Sequence, residues 1–224
     1  MLNNKRVIYS VDGNWRQTGF TGSCPGLSAY STWTGLGGAN SPGLVQQGTD
    51  ISPASGNSAP YAWWEALDAA AVNPEVAFSG SSSFVFAGTA MDASTTFDNL
   101  NGNVYFSVSA TNIGNGNIFS ANFTTYQGQT AAQYWSSANT AEWINERPSY
   151  NGTFTNLRQP ALGTTAWGGA GKNSVEYSYG GAPVPMSTLS PMTVDMYNGS
   201  KLLASMPNSL GGSNTWSDRW HACQ

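Results

Sequence analysis

Two stretches, Asn103–Thr111 and Asn117–Tyr126, constrain the chain most, because their apolar and polar residues alternate with a period of two. Val104, Phe106 and Val108 fall on one side and Tyr105, Ser107 and Ser109 on the other, the pattern of a half-buried strand. The glycine-rich link Asn112-Ile-Gly-Asn-Gly116 predicts a hairpin between them. Similar short runs are Tyr30–Leu36, Leu44–Ile51, Ser83–Gly88, Ala141–Glu146, Gly152–Leu157, Val175–Tyr179, Pro191–Tyr197 and Leu202–Met206, separated by Gly, Asn, Ser and Pro. So many short strands predict an all-β fold, two antiparallel sheets packed as a β-sandwich. At 224 residues such a sandwich forms one domain, 1–224. Only Tyr61–Val72, rich in alanine and leucine, has the local preference of a helix.

Charged residues make up 9% of the chain, against about 25% in an ordinary soluble protein, and the net charge is −4. Neutral hydrogen-bonding side chains therefore carry the surface. With all carboxylates protonated, charge remains only on the eight Lys and Arg and the single His, so self-repulsion in acid stays modest. That fits an acidic habitat, and it fits equally a secreted β protein with a neutral polar surface. The absence of a basic run argues against nucleic acid as a partner. No apolar run approaches the ~20 residues of a membrane span, and Met1–Val11 is too short and polar for a signal-peptide core. If the protein is secreted, its targeting segment lies outside this sequence. Cys24 and Cys223 allow one disulfide between the two ends, with two free thiols as the alternative; an oxidising compartment favours the bridge.

The residues exclude several chemistries. His221, the single histidine, lies three residues from the last position, where fraying would weaken a Ser-His-Asp or Cys-His machine. One His and two distant Cys cannot make a zinc site, and no phosphate-binding loop is present, so neither metal nor cofactor is expected. Carboxylates remain. In Ala141-Glu-Trp-Ile-Asn-Glu-Arg-Pro148, Glu142 and Glu146 share a strand face about 13 Å apart, too far to share a proton. Both could simply face solvent, one paired with Arg147 or Arg158.

The segment Ala141-Glu-Trp-Ile-Asn-Glu resembles the Ala-Glu-Trp-Ile-x-Glu strand of the glutamic peptidases, or eqolisins. Ser31-Thr-Trp-Thr-Gly-Leu-Gly-Gly38 and Leu44-Val-Gln-Gln-Gly-Thr-Asp50 are similar to that family's Trp-x-Gly-x-x-Gly and Leu-Gln-x-Gly strands, and Tyr61-Ala-Trp-Trp-Glu65 to its Ala-Trp-Tyr-Glu segment. The order and spacing match as well. The resemblance implies a concanavalin A-like jelly roll and an acid-active endopeptidase with catalytic residues Gln46 and Glu142. It places Trp33, Trp63, Glu65 and Glu146 along the substrate cleft, and makes Tyr61–Glu65 a strand, with Ala66–Val72 coil or turn. Polypeptide substrates, a monomeric state and an extracellular location follow from the same likeness. Departures at Gly37, where many fungal members carry an acidic residue, at Trp15 and at Trp216–Cys223 suit a divergent, bacterial-type member.

These residue types can cleave a peptide bond. Glu142 would act as general base toward water and then as acid toward the departing amine, provided its pKa suits an acidic working range. Gln46 offers an acceptor to position the water and N–H donors for the oxyanion, neither of which needs ionisation. Trp33 and Trp63 would line the cleft, while alternation turns Trp64 and Trp143 to the core. A non-catalytic carbohydrate-binding sandwich is the alternative, since fold alone does not fix function. A glycoside hydrolase using Glu142 and Glu146 is disfavoured, because ~13 Å exceeds the separation such pairs use.

Overall fold

The computed structural model describes residues 2–3, 6–20, 24, 26–39, 43–51, 59–68, 75–112, 115–135, 138–150, 152–161, 164–168, 173–206 and 215–223. Two large sheets lie face to face. Among the described residues, the front sheet runs Leu2–Asn3, Thr140–Glu146, Ser28–Gly37, Gly43–Ile51, Tyr61–Asp68, Val76–Ala77, and Asn156–Leu157 pairs in parallel with the start of Ser28–Gly37. The back sheet has Ser10–Arg16 at its centre, flanked on one side by Ala90–Asp98, Asn103–Asn112 and Asn115–Phe123. Its other side holds Thr164–Trp167, Trp216–Trp220 and Lys201–Ser205, with Ser174–Glu176 also pairing to the central strand.

Alternation explains the core. Leu36, Val45, Ala66, Ala141 and Trp143 of the front sheet meet Val11, Trp15, Met91, Phe97, Val104, Phe106 and Val108 of the back sheet. Trp64 lies stacked on Phe106, with ring centroids 5.2 Å apart. The sheets approach so closely at Gly13 that a Cβ there would sit 2.1 Å from Thr34 Cγ2. Some buried polar groups are paired across the same interface, while Gln47 Oε1 and Thr34 Oγ1 there have no partner in the protein. Gln47 Nε2 donates to Thr95 Oγ1 at 3.1 Å, and Thr49 Oγ1 donates to Gln17 Oε1 at 2.6 Å.

The predicted hairpin is present, with Val104 opposite Phe123 and Asn112 opposite Asn115. Four expectations need correction, one of them the Pro191–Tyr197 strand, of which only Met196 and Tyr197 are paired. The Tyr61 strand does not stop at Glu65 but continues to Asp68, because Ala66 and Leu67 still pair with Val45 and Leu44; positions 69–72 lie outside the described residues. Tertiary pairing here overrides helix propensity. Ser83–Gly88 is not a strand: a 3-10 turn covers Ser81–Ser83, and Gly80 and Gly88 flank the segment with φ of 74° and 88°. His221 is not at a frayed end. The neighbouring Trp216–Trp220 strand is paired on both sides, Leu157 N–H donates to the Cys223 carbonyl at 3.1 Å, and Cys24 and Cys223 form a disulfide with Cα atoms 5.6 Å apart.

Trp15, which the motifs left unplaced, is a core residue, packed on Trp167 with its Nε1 donating to Thr49 Oγ1 at 3.3 Å. Among the described residues no helix is long and apolar enough to cross a membrane.

Candidate active site

The front sheet's outer face, the one turned away from the core, carries the candidate residues. Strand register aligns them in rows. Glu142 lies opposite Gly35, Gly35 opposite Gln46, and Gln46 opposite Glu65. Four neighbouring strands thus place three polar side chains on one line, with a glycine between Glu142 and Gln46. At about 4.8 Å per strand, the Cα atoms of that pair are roughly 10 Å apart. The notch left by Gly35 is narrow: a Cβ there would lie 3.0 Å from both Gln46 Cβ and Leu44 Cδ1.

The next row along the strands is apolar. Ile144, Trp33, Gly48 and Trp63 stand opposite one another, and Trp33, Tyr61 and Trp63 form a cluster with Leu44 and Ile144. Gly48 is required by this packing, since a Cβ would meet the Thr32 carbonyl oxygen at 2.2 Å and Trp33 Cβ at 2.5 Å. A further row sets Glu146, Ser31, Asp50 and Tyr61 side by side. The Tyr61 hydroxyl donates to Asp50 Oδ2 at 3.3 Å and also reaches Glu75 Oε1. Trp33, Trp63, Glu65 and Glu146 therefore do share a face with Gln46 and Glu142, as the motifs imply. Trp64 and Trp143 point to the core.

Sequence reasoning missed Asp50, Tyr61 and Glu75 as members of this group. Asp50 was within reach of it, because a residue four positions from Gln46 on a strand shares its face. Glu75 carries no such signal, as it precedes a two-residue edge strand.

Electrostatics set this face apart. Burial pushes the Glu142 carboxyl up to about 7, opposed by the Ala39 backbone N–H that donates to it. Burial likewise lifts Glu65 to about 7 against the bond from Gln46, with Glu75 adding to the rise. Glu146 reaches about 7 by burial; the nearby Trp33 indole lowers it without meeting hydrogen-bond geometry, and Glu65, Glu142 and Glu75 raise it. Asp50 rises to about 8 through burial and the neighbouring Glu75 charge. Two glycines with positive φ, Gly37 at 96° and Gly38 at 88°, bend the chain around Glu142, and a Cβ on Gly38 would lie 3.2 Å from Glu142 Oε1.

Gln46 donates from Nε2 to Glu65 Oε2 at 2.7 Å, while its Oε1 is buried without a partner in the protein. Trp33 Nε1, Trp63 Nε1 and Asp50 Oδ1 are in the same condition on the same face. Each such group costs about 1–3 kcal/mol, so native structures hold few of them. These four share one face, and other such atoms are spread through the rest of the described residues. Among the described residues, no group of His, Cys, Asp and Glu has the arrangement to hold a metal ion.

No family model matches the sequence, and no curated protein matches it. Solved structures do share its fold. A scytalido-glutamic peptidase in complex with a transition state analog inhibitor aligns with TM-score 0.70 and 16% identity, covering 99% of this chain and 95% of that one. SCP-B, a member of the eqolisin family of peptidases in complex with the tripeptide Ala-Ile-His, aligns at 0.63 with 16% identity over the same shares. Aspergilloglutamic peptidase from Aspergillus niger aligns at 0.61 with 17% identity, over 87% of this chain and 99% of that one. The chain has the β-sandwich fold of the glutamic peptidases.

Proposed function

We propose that this protein is an endopeptidase working on the acid side of neutrality, with Glu142 and Gln46 as its catalytic residues. The observation that carries the proposal is the row Glu142, Gly35, Gln46, Glu65, in which a general base and an uncharged hydrogen-bonding group flank a notch without a side chain. The motif likeness and the shared fold support the same reading. A peptide carbonyl seated over Gly35 has Glu142 on one side and Gln46 on the other. Glu142 takes a proton from a water molecule as its oxygen attacks the carbonyl carbon. The Gln46 Oε1 accepts the water's second hydrogen, and its NH2, one hydrogen of which is held by Glu65, turns the other to the developing oxyanion. Glu142 then returns its proton to the amine nitrogen as the carbon–nitrogen bond breaks.

Two trends of opposite sign set the working pH. Glu142 must be ionised to act as base, and its pKa of about 7 favours the upper range. The raised carboxyls around it favour the lower range, since ionising them together loads one buried face with negative charge. Their balance falls at weakly acidic pH. Polypeptides are the substrates, and the chain acts as a monomer and a single domain, 1–224. The disulfide and the low charge content are those of a secreted protein. A sugar-binding face would need exposed ring surfaces, whereas Trp33 and Trp63 are only 5% and 2% exposed.

The test is digestion of a denatured protein from pH 2 to 7 by the wild-type chain, Gln46→Ala and Glu142→Ala, with circular dichroism to follow the fold. Loss of cleavage in both folded variants is expected. Full activity in either would sink the assignment.

A further inference from the structure

A cavity of about 60 Å³ opens at the side of the sandwich, between the Thr140–Glu146 strand and the segment 186–206. Four thioethers, Met186, Met192, Met196 and Met206, line it together with Trp143 and Trp216. Its volume is several times the ~10–15 Å³ that one water requires. Ile144 belongs both to this wall and to the aromatic cluster of Trp33, Tyr61 and Trp63 on the candidate site's face. Ile144, on the strand that borders the cavity, is thus shared by the two. Along the strand, Ile144 is two residues from Glu142, about 6.6 Å.

The cavity floor offers little to a polar group. Asp218 Oδ1 accepts from the Thr165 N–H at 3.0 Å, and its Oδ2 accepts from Asn145 Nδ2 at 2.7 Å and from the Tyr30 hydroxyl at 3.1 Å. Asn145 Oδ1 is taken by the Thr32 hydroxyl at 2.7 Å. With these atoms engaged, the wall that remains is mainly thioether, aliphatic and indole, its polar groups being the Trp216 Nε1 and the side chains of Thr193 and Ser205. Methionine side chains adjust to irregular apolar shapes at low cost. At the rim, Met192 and Val194 are 56% and 53% exposed, large apolar residues on a segment outside the sheets.

We infer that this cavity receives an aliphatic side chain of the substrate polypeptide, of leucine or methionine size, within two or three residues of the scissile bond. Ile144 guides it from the catalytic face, and Met192, Val194 and Met206 set the selectivity. An extended substrate advances about 3.3 Å per residue, so the Glu142-to-Ile144 offset matches a position near, but not at, the cleaved bond. This assignment rests on the peptidase reading above.

The experiment uses the full chain and an alanine-rich peptide series in which one Leu is moved through three positions on either side of the cleaved bond. Wild type is expected to favour Leu over Ala at one position by on the order of tenfold in kcat/KM, the scale of discrimination an apolar pocket provides. Val194→Trp and Met192→Arg, both at the exposed rim, are expected to bring that ratio to about one. The ratio is unaffected by the fraction of enzyme that folds. A Leu preference that persists in both variants overturns the assignment and leaves the peptidase reading standing. Failure of wild type to cleave any protein or peptide overturns the peptidase reading, and this assignment with it.

Discussion

Gln46 is tied to Glu65 by a 2.7 Å hydrogen bond across neighbouring strands, and the bond fixes which way the amide points. Removing it frees the amide to rotate without touching Glu142. Glu65, at about 7, holds its proton at weakly acidic pH, so Glu65→Ala is expected to lower kcat by about three- to tenfold, the scale of a hydrogen bond between neutral groups, with KM changed far less. Glu65→Gln keeps an acceptor at the same place and should recover most of the rate. Steady-state kinetics on both variants decide it; an equal loss in both would mean that Glu65 acts through its charge.

Gly35 separates Glu142 and Gln46, the two proposed catalytic side chains. A methyl group there would come to 3.0 Å from Gln46 Cβ and Leu44 Cδ1 and 3.1 Å from the Val45 carbonyl oxygen, contacts that a shift of a few tenths of an ångström can relieve. Gly35→Ala should thus fold with a loss of about 1–3 kcal/mol, while filling the space the substrate carbonyl needs. A melting temperature lowered by about 2–12 °C, with the fold retained, together with lost cleavage is the expected pair of results. Normal cleavage would move the reaction away from this notch.

Gly48 is a different case. Its Cβ would lie 2.2 Å from the Thr32 carbonyl oxygen and 2.8 Å from Trp33 Cα, and backbone cannot yield as a side chain can. Gly48→Ala is expected to destabilise the protein by several times the cost at Gly35 or to prevent folding. Chemical denaturation of the two variants side by side makes the comparison.

The raised carboxyls give stability a direction with pH. Asp50 stands at about 8, Glu65, Glu142 and Glu146 at about 7, and Asp218 at about 6, whereas in an unfolded chain such groups titrate near 4. Between about pH 4 and 8 the folded state holds protons that the unfolded state has released, so stability falls as pH rises. Melting temperature should decline steadily over that interval. Asp50→Asn, which removes the largest of these shifts, should flatten the decline. A melting temperature that rises toward neutrality would contradict the burial of this cluster.

The fold was readable wherever apolar residues alternate clearly, as in Asn103–Thr111. Ser10–Arg16, the centre of the back sheet, escaped because Asp12, Gly13 and Asn14 interrupt it. Gly13 is there for the close approach to Thr34, a reason that exists only in three dimensions. Ala90–Asp98 alternates too, but with Ala93 and Thr95 as two of its inward residues the signal is faint. Ser83–Gly88 misled in the other direction, since Phe84, Val85 and Phe86 read as a strand and only Val85 is buried. For the site, periodicity put Glu142 and Glu146 on one face but could not join either to Gln46, nearly a hundred positions away. Register between strands decides that, and a single sequence does not encode it locally.

The link between Cys24 and Cys223 encloses almost the whole molecule, at a sequence separation of 199. With the proposed activity, the protein would meet copies of itself as substrates. Any single cut between the two cysteines leaves both fragments covalently joined, so Gln46 and Glu142 stay in one molecule. Only a second cut, or a reductant, can part them.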